Sequence, residues 1–252
     1  MVSEFMLQQT PVNRVLPIWT QWLTLWPKPS DLATARKSEV ISAWGRLGYP
    51  RRALRLHESA TIISRDFDDE VPRAIETLRS LPGVGEYTAA AIAAFAFEQP
   101  TLVLDVNIRR FFARFIDGVE YPTSTPSMLE RALRHELIPE EGAKWAAATM
   151  EFGALVCTSK NPRCDSCPLK TQCAWRKAGY PKLEVVRKTQ DWIGTDRQCR
   201  GIVVQALREN KKLSETELKK LWSGGAQMDR ALKTLIADGL IETTGKSYRL
   251  PN

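Results

Sequence analysis

The segment Leu81-Pro82-Gly83-Val84-Gly85 separates two stretches in which apolar residues recur at helical spacing. Proline and glycine interrupt a helix, and two glycines two positions apart let backbone N–H groups turn outward at the start of the next helix. Such N–H groups, together with the helix dipole, favour a phosphate. Because a Gly-x-Gly turn is more often only a tight turn, the segment predicts a helix–turn–helix unit and leaves the phosphate site open.

A carboxylate follows downstream in the run Val103-Leu104-Asp105-Val106-Asn107. Apolar neighbours would partly remove water from Asp105, which suits either chemistry or a buried pair. Asp is also a common helix N-cap, and the two roles are compatible. Around this run the sequence predicts helix after helix up to about Gly153, because strand-like alternation is nearly absent.

Four cysteines cluster after this helical region with the spacing Cys-x6-Cys-x2-Cys-x5-Cys: Cys157, Cys164, Cys167 and Cys173. In a reducing compartment, clustered thiols indicate a metal rather than disulfides. Four thiolates so close in sequence can surround a tetrahedral zinc ion or a cubane iron–sulfur cluster, and the spacing does not choose between them. Cys199 stands apart and is expected to be an ordinary thiol.

The composition excludes several classes of protein. The 252 residues are 43% hydrophobic, which is enough for a core and excludes a disordered chain. Neither a membrane span nor a signal peptide is found, so we expect a cytoplasmic protein with no membrane partner. Residues 1–156 hold 17 Lys or Arg against 19 Asp or Glu (net −2), and residues 157–252 hold 19 against 10 (net +9). The excess positive charge could meet an anionic polymer or form a solvated basic face.

The last part of the chain is predicted to be a separate small module, residues 197–252, after a polar linker at 181–196. Helices are predicted at Gly201–Arg208, after the N-cap Ser214 with Glu217 at the capping-box position, and at Gln227–Asp238. Two short strands, Leu240–Glu242 and Ser247–Leu250, would form a wing. This order resembles a winged helix, and a helical cap on the first domain is the alternative.

Together, these motifs resemble the helix–hairpin–helix DNA glycosylases that carry a [4Fe–4S] cluster, the endonuclease III and MutY group. Within it, Ser3–Thr10, Trp44–Tyr49 and Met150–Cys157 are similar to the MutY-type adenine glycosylases. The resemblance covers residues 1 to about 180. It implies a mainly α, two-part glycosylase core over 1–156, with the helix–hairpin–helix at about 75–100, and an iron–sulfur loop over 157–180.

The resemblance also implies roles for single residues. Glu4 would be the general acid at adenine N7, and Asp105 would stabilise or trap the oxocarbenium ion with the support of Asn107. Tyr87 stands where lyase-competent relatives have Lys, so we expect base release without strand cleavage.

The implied partner is double-stranded DNA with an adenine mispaired with 8-oxoguanine or guanine, bound by a monomer. Gln9, Thr10 and Tyr49 match positions that contact the opposite base or wedge into the stack. The complete set of predicted DNA- or base-binding residues is Gln8, Gln9, Thr10, Leu47, Tyr49, Arg51, Gly83, Gly85 and Glu151.

Two departures from the family and two rival functions shape the expectation. The chain begins almost at Glu4, so we expect a short N-terminus, and its basic module 197–252 stands where many relatives carry a NUDIX-like domain. We expect that module to add DNA affinity.

One rival is a mismatch thymine or uracil glycosylase, which generally lacks the Glu before Met-Leu-Gln-Gln-Thr. The other is a non-catalytic iron–sulfur DNA-binding protein, which would need neither Glu4 nor Asp105.

Overall fold

A computed structural model describes residues 1–183 and 191–252, and these residues are mainly helical. They divide into two compact units, each assembled from separate pieces of the chain. The first unit contains Met1–Pro72, Leu81–Gly83 and residues 191–252, and the second contains Arg73–Ser80 and residues 84–183. Within these ranges, no helix has both the length and the apolar character needed to cross a bilayer.

The N-terminal part of the first unit is a group of helices around one long helix. The helices are α1 (Val2–Leu7), α2 (Val12–Leu25), α3 (Pro29–Thr34), α4 (Lys37–Trp44) and α5 (Arg51–Asp66). Helices α1, α3 and α4 all pack against α5. Trp22 and Trp44 are buried and meet edge to face, with ring centres 5.5 Å apart. These contacts fix the short helix α1, which carries Glu4, on the longest helix of the unit.

The second unit contains the predicted helix–hairpin–helix and the cysteine segment. Its helices are α6 (Ile75–Ser80), α7 (Glu86–Phe97), α8 (Val106–Phe115), α9 (Met128–His135), α10 (Gly142–Leu155) and α11 (Ala174–Lys177). Its core joins the alanine-rich helix α7 to α8 and α10. At Gly153 a Cβ would lie 2.9 Å from Cβ of Asn107, so a residue without a side chain lets α10 approach the start of α8.

The C-terminal module (residues 191–252) completes the first unit and has the order predicted for a winged helix. It contains α12 (Asp196–Glu209), β1 (Leu213–Ser214), α13 (Glu215–Lys219), α14 (Gly225–Ala237), β2 (Glu242–Thr244) and β3 (Ser247–Arg249). Ser214 and Glu217 form the predicted capping box. The strands form an antiparallel sheet in the order β1-β3-β2. The two-residue strand β1 was not predicted, because two residues cannot show alternation, and Leu240 lies in the core before the wing rather than in its first strand.

The grouping of segments differs from the predicted domain boundaries. The division between the units falls inside the range 1–156 that the sequence suggested as one core. The C-terminal module shares a buried core with Ile41 and Leu54 of the N-terminal helices. Cys199 lies in that core, fully buried, as expected for an ordinary thiol. Of the predicted linker 181–196, residues 184–190 lie outside the described ranges.

Candidate active site and DNA-facing residues

Glu4 lies in the first turn of α1, next to the buried Phe5 and Met6. Burial raises the pKa of Glu4 above its usual range, and the positive N-terminal amino group opposes this rise. A carboxyl that keeps its proton at higher pH can donate it to a leaving group. The surroundings of Glu4 therefore suit the acid role that the sequence assigned to it.

Arg52 of α5 ties the turn after α1 to the turn before α5. Its guanidinium donates to the carbonyl oxygens of Phe5 at 2.9 Å and Gly48 at 3.1 Å, and to the Thr10 hydroxyl at 3.2 Å. A further hydrogen bond goes to the carbonyl of Gln8. Sequence reasoning missed Arg52, because nothing in the adjacent pair Arg51-Arg52 shows which arginine points inward.

The residues of these two turns differ in exposure. Gln9 and Tyr49 both have positive φ, 56° and 47°, and both are exposed, Tyr49 to 48%. Gln8 is half-buried. Thr10 and Leu47, which the resemblance placed among the DNA contacts, are buried instead, and the Thr10 hydroxyl donates to the Leu47 carbonyl at 3.1 Å. Thr10 and Leu47 thus hold the two turns together, while Gln9 and Tyr49 present their side chains to solvent.

The two glycines of the hairpin are needed for different reasons. Gly83 has φ +81°, and a Cβ there would lie 2.8 Å from Cβ of Arg55 and 2.9 Å from Cε1 of Phe5. Gly85 is the N-cap of α7 with φ −86° and ψ 180°, and a Cβ there would have no atom within 4 Å. Packing within the first unit therefore explains Gly83. The free space beside Gly85, at the start of α7, is compatible with the predicted phosphate contact.

Tyr87 lies in the first turn of α7 and packs against the core formed by α7, α8 and α10. It is half-buried. Schiff-base chemistry needs an amine, and the phenol of Tyr87 cannot supply one.

Asp105 is the N-cap of α8, as one of its two sequence interpretations predicted. One carboxylate oxygen accepts from the backbone N–H of Ile108 at 2.6 Å, and the other accepts from Nδ2 of Asn107 at 3.0 Å. Burial raises the pKa of Asp105, while these hydrogen bonds and the charge of Arg110 work in the opposite direction. Asp105 is thus a partly desolvated carboxyl group held by two hydrogen-bond donors. One of them is the side chain of Asn107, the residue that was predicted to support it.

Arg110 links this carboxylate to the cysteine segment. It donates to Oδ1 of Asn107 at 2.8 Å, to the carbonyl of Cys157 at 2.8 Å and to the carbonyl of Gly153. Hydrogen bonds therefore run from Asp105 through Asn107 and Arg110 to the first cysteine. The predicted contact residue Glu151 is exposed on α10 in the same unit.

The four clustered cysteines line one cavity of the second unit, together with Arg114 and Trp175. The Arg114 guanidinium lies 3.6 Å from Sγ of Cys157 and 4.7 Å from the centre of the Trp175 ring. In the part of the chain that is described, no three Cys, His, Asp or Glu side chains converge closely enough to hold one metal ion. The four thiols around this cavity are donors of the type that zinc and iron–sulfur clusters both use.

Comparisons with known proteins agree on the family. A family model described as HhH-GPD superfamily base excision DNA repair protein matches residues 2–138. An adenine DNA glycosylase of Mycolicibacterium smegmatis is 49% identical over 249 residues, covering 97% of this chain and 84% of the relative. An adenine DNA glycosylase of Mycobacterium tuberculosis is 49% identical over 250 residues, covering 97% and 82%.

A solved structure supports the same assignment of the fold. A thermostable thymine-DNA glycosylase superposes with a TM-score of 0.65 and 26% identity, over 70% of this chain and 82% of that protein. The mainly helical fold and the helix–hairpin–helix are therefore those the sequence predicted. The chain belongs to the HhH-GPD superfamily of base excision DNA repair proteins, and within it to the family of the adenine DNA glycosylases.

Proposed function

We propose that this protein hydrolyses the N-glycosidic bond of an adenine opposite 8-oxoguanine or guanine in double-stranded DNA, and leaves the strand intact. The observation that carries the proposal is the pair of half-buried carboxyls, Glu4 and Asp105, whose surroundings differ as the two roles require. Both match family positions, and 49% identity to named adenine DNA glycosylases supports the choice of base.

Glu4 acts as the proton donor. Adenine leaves poorly as an anion, and a proton on N7 lets it leave as a neutral base. The raised pKa of Glu4 keeps more of the residue protonated near neutral pH than an exposed glutamate would be.

Asp105 acts on the sugar. Its hydrogen bonds from Ile108 and Asn107 hold the carboxylate oxygens in place, and they favour the charged form against burial. A fixed negative charge stabilises the positive charge that develops on the sugar as the base leaves. Water completes the hydrolysis, because Tyr87 offers no amine to form a covalent Schiff base. We expect no adduct when the reaction is treated with borohydride.

Recognition of DNA is assigned to exposed groups. We assign contact with the base opposite the adenine to Gln9 and Tyr49, which are exposed, and contact with a phosphate to the N-terminus of α7 at Gly85. The exposed side chains and the start of α7 would both contact duplex DNA. We expect the chain to bind the duplex as a monomer.

The cysteines complete the proposal as ligands of a [4Fe–4S] cluster. Cys157, Cys164, Cys167 and Cys173 are the donors, and thiolate is the usual ligand of such clusters. When bound, the cluster would fix a loop that carries exposed cations such as Arg163 and Lys170. Cations held in this way suit contacts with the DNA backbone.

Base release from defined duplexes tests the function. The chain is expected to release adenine from A:8-oxoguanine and A:G duplexes, whereas Glu4→Gln and Asp105→Asn should bind the same duplexes and release none. Glu140→Gln is a matched control on an exposed carboxylate outside both the catalytic positions and the predicted DNA-contact residues, and it should retain most of the activity. Release of thymine from a T:G duplex but not of adenine would contradict the proposal. Adenine release by both variants at the native rate would contradict the assigned roles.

A further inference from the structure

The C-terminal module is packed on the two helices that flank the Tyr49 turn (Leu47–Arg52). Its buried core includes Ile41 of α4 and Leu54 of α5. At the joint, Arg208 donates to the carbonyl of Ile41 at 3.1 Å, and burial lowers the pKa of Arg208 to about 10. A desolvated arginine and shared apolar residues show that the module and these helices form one packed body. The surface of the module is therefore fixed with respect to the Tyr49 turn.

Two polar contacts connect the module to this turn. Nη1 of Arg197 lies 2.9 Å from the Tyr49 hydroxyl oxygen, to which it donates a hydrogen bond. Asp238 forms ion pairs with Arg51 at 3.1 Å and with Arg200. Tyr49 and Arg51 are the two residues of the turn whose exposed side chains were predicted to face DNA, and the module holds both of them.

Tyr49 is held in a conformation that a free turn would rarely keep. Its φ of 47° lies in the left-handed region, directly after Gly48 with φ 84°. The residue is 48% exposed, and the Arg52 guanidinium lies 5.6 Å from its ring centre. Arg197 is itself fixed, with its guanidinium 5.1 Å from the ring centre of Trp192. Left-handed backbone at a non-glycine residue persists only where the surroundings determine it, and such positions concentrate at functional sites.

We propose that Arg197 is a positioning residue for Tyr49, and that the C-terminal module thereby sets how this turn meets the base opposite the adenine. The inference rests on the proposed function, because it requires the Tyr49 turn to contact DNA at that base. It assigns the module a part in distinguishing 8-oxoguanine from guanine, beyond a general attraction for DNA.

The full chain with Arg197→Met tests the proposal. The measurements are the single-turnover rate of adenine release and the dissociation constant, each on A:8-oxoguanine and A:G duplexes. Preference for 8-oxoguanine should fall about fivefold, as expected from the loss of one hydrogen bond, while the melting temperature stays within about 2 °C. Arg230→Met is the matched control, because it also removes an exposed arginine from the module, one that pairs with Asp196 and not with Tyr49. It should keep the native preference within about twofold.

A double-mutant cycle separates positioning from direct DNA binding. Tyr49→Phe removes only the hydroxyl that Arg197 holds, so it should reproduce the loss seen in Arg197→Met, and the double variant should lose no more. Additive losses would mean that Arg197 contacts DNA by itself, and an unchanged preference in Arg197→Met would show that the contact has no such role. Either result overturns the proposal.

The binding measurements keep the two proposals apart. A wild-type chain that distinguishes the duplexes in affinity but releases no adenine contradicts the proposed function alone. A wild-type chain that releases adenine equally from both duplexes, and binds them equally, contradicts the role of Arg197 alone.

Discussion

Replacing Gly83 by alanine should lower the stability of the fold, whereas replacing Gly85 by alanine should weaken DNA binding and leave the stability almost unchanged. In Gly83→Ala the new residue would keep φ near +81°, which costs about 1–2 kcal/mol for a residue with a Cβ. The Cβ would also lie 2.8 Å from Cβ of Arg55 and 2.9 Å from the ring of Phe5, and overpacking of this kind costs about 1–3 kcal/mol. Since both neighbours belong to packed helices, we expect the free energy of unfolding to fall by about 2–5 kcal/mol.

Gly85→Ala is the matched variant, two residues away in the same hairpin. Its backbone is extended and its Cβ would enter open space, so the free energy of unfolding should change by less than about 0.5 kcal/mol. The same Cβ would stand where a DNA phosphate is proposed to approach. Hydrogen bonds to charged groups contribute about 1.5–3 kcal/mol, so losing one should weaken duplex binding by roughly tenfold or more.

Equilibrium urea unfolding measures the first quantity, and duplex titration at fixed salt measures the second. If Gly83→Ala is as stable as the wild type, the strain and close contacts inferred at Gly83 are wrong. If Gly85→Ala binds duplex DNA as tightly as the wild type, the open N-terminus of α7 is not a phosphate site.

Base release should have a bell-shaped pH dependence, falling at high pH as Glu4 loses its proton and at low pH as Asp105 gains one, because burial raises both pKa values. If a Glu4→Gln variant keeps some activity and its single-turnover rate of base release still falls at high pH, a group other than Glu4 is the general acid. Since folding raises the pKa of Glu4, the native state holds the proton more tightly, so this residue lowers stability as pH rises above the usual value of 4.5. Glu4→Gln should therefore be more stable than the wild type in neutral-pH melts, and the difference should vanish below pH 4.5; a constant difference would exclude titration as its cause. Protein isolated without chelators should carry about four iron atoms per chain, and Cys164→Ser should lose iron and melt earlier. One zinc and no iron would contradict the cluster.

Features set by neighbouring residues could be predicted from the sequence. The hairpin at Leu81–Gly85, the capping box of Ser214 and the apolar surroundings of Asp105 each depend on residues only a few positions apart. The order of helices and strands in the C-terminal module is local in the same sense. Such signals are visible in one sequence because the backbone geometry of helices and turns restricts which residues can stand there.

Contacts between distant residues could not be predicted. Arg52, Arg110 and Arg197 each join segments that are far apart in the chain, by 148 positions for Arg197 and Tyr49. The residues next to an arginine in the sequence do not show whether it binds carbonyl oxygens in a turn or faces solvent. The same reason explains why the sequence left open whether the module is separate or caps the first domain, since apolar residues show that a face is buried and not what buries it.

Asp105 is the N-cap of α8, and the contacts that make it a cap also suit the catalytic role that we propose for it. A half-buried aspartate would by burial alone tend to hold its proton, and a protonated carboxyl could not stabilise a positive sugar. As the N-cap of α8 it receives the Ile108 N–H and faces the positive end of a helix, both of which favour the anion. Glu4 is buried without such a cap hydrogen bond in the described chain. Burial raises the pKa of both carboxyls, but hydrogen-bond donors oppose this rise at Asp105 and not at Glu4 among the described residues, so of the two residues Asp105 is the better suited to the anionic role.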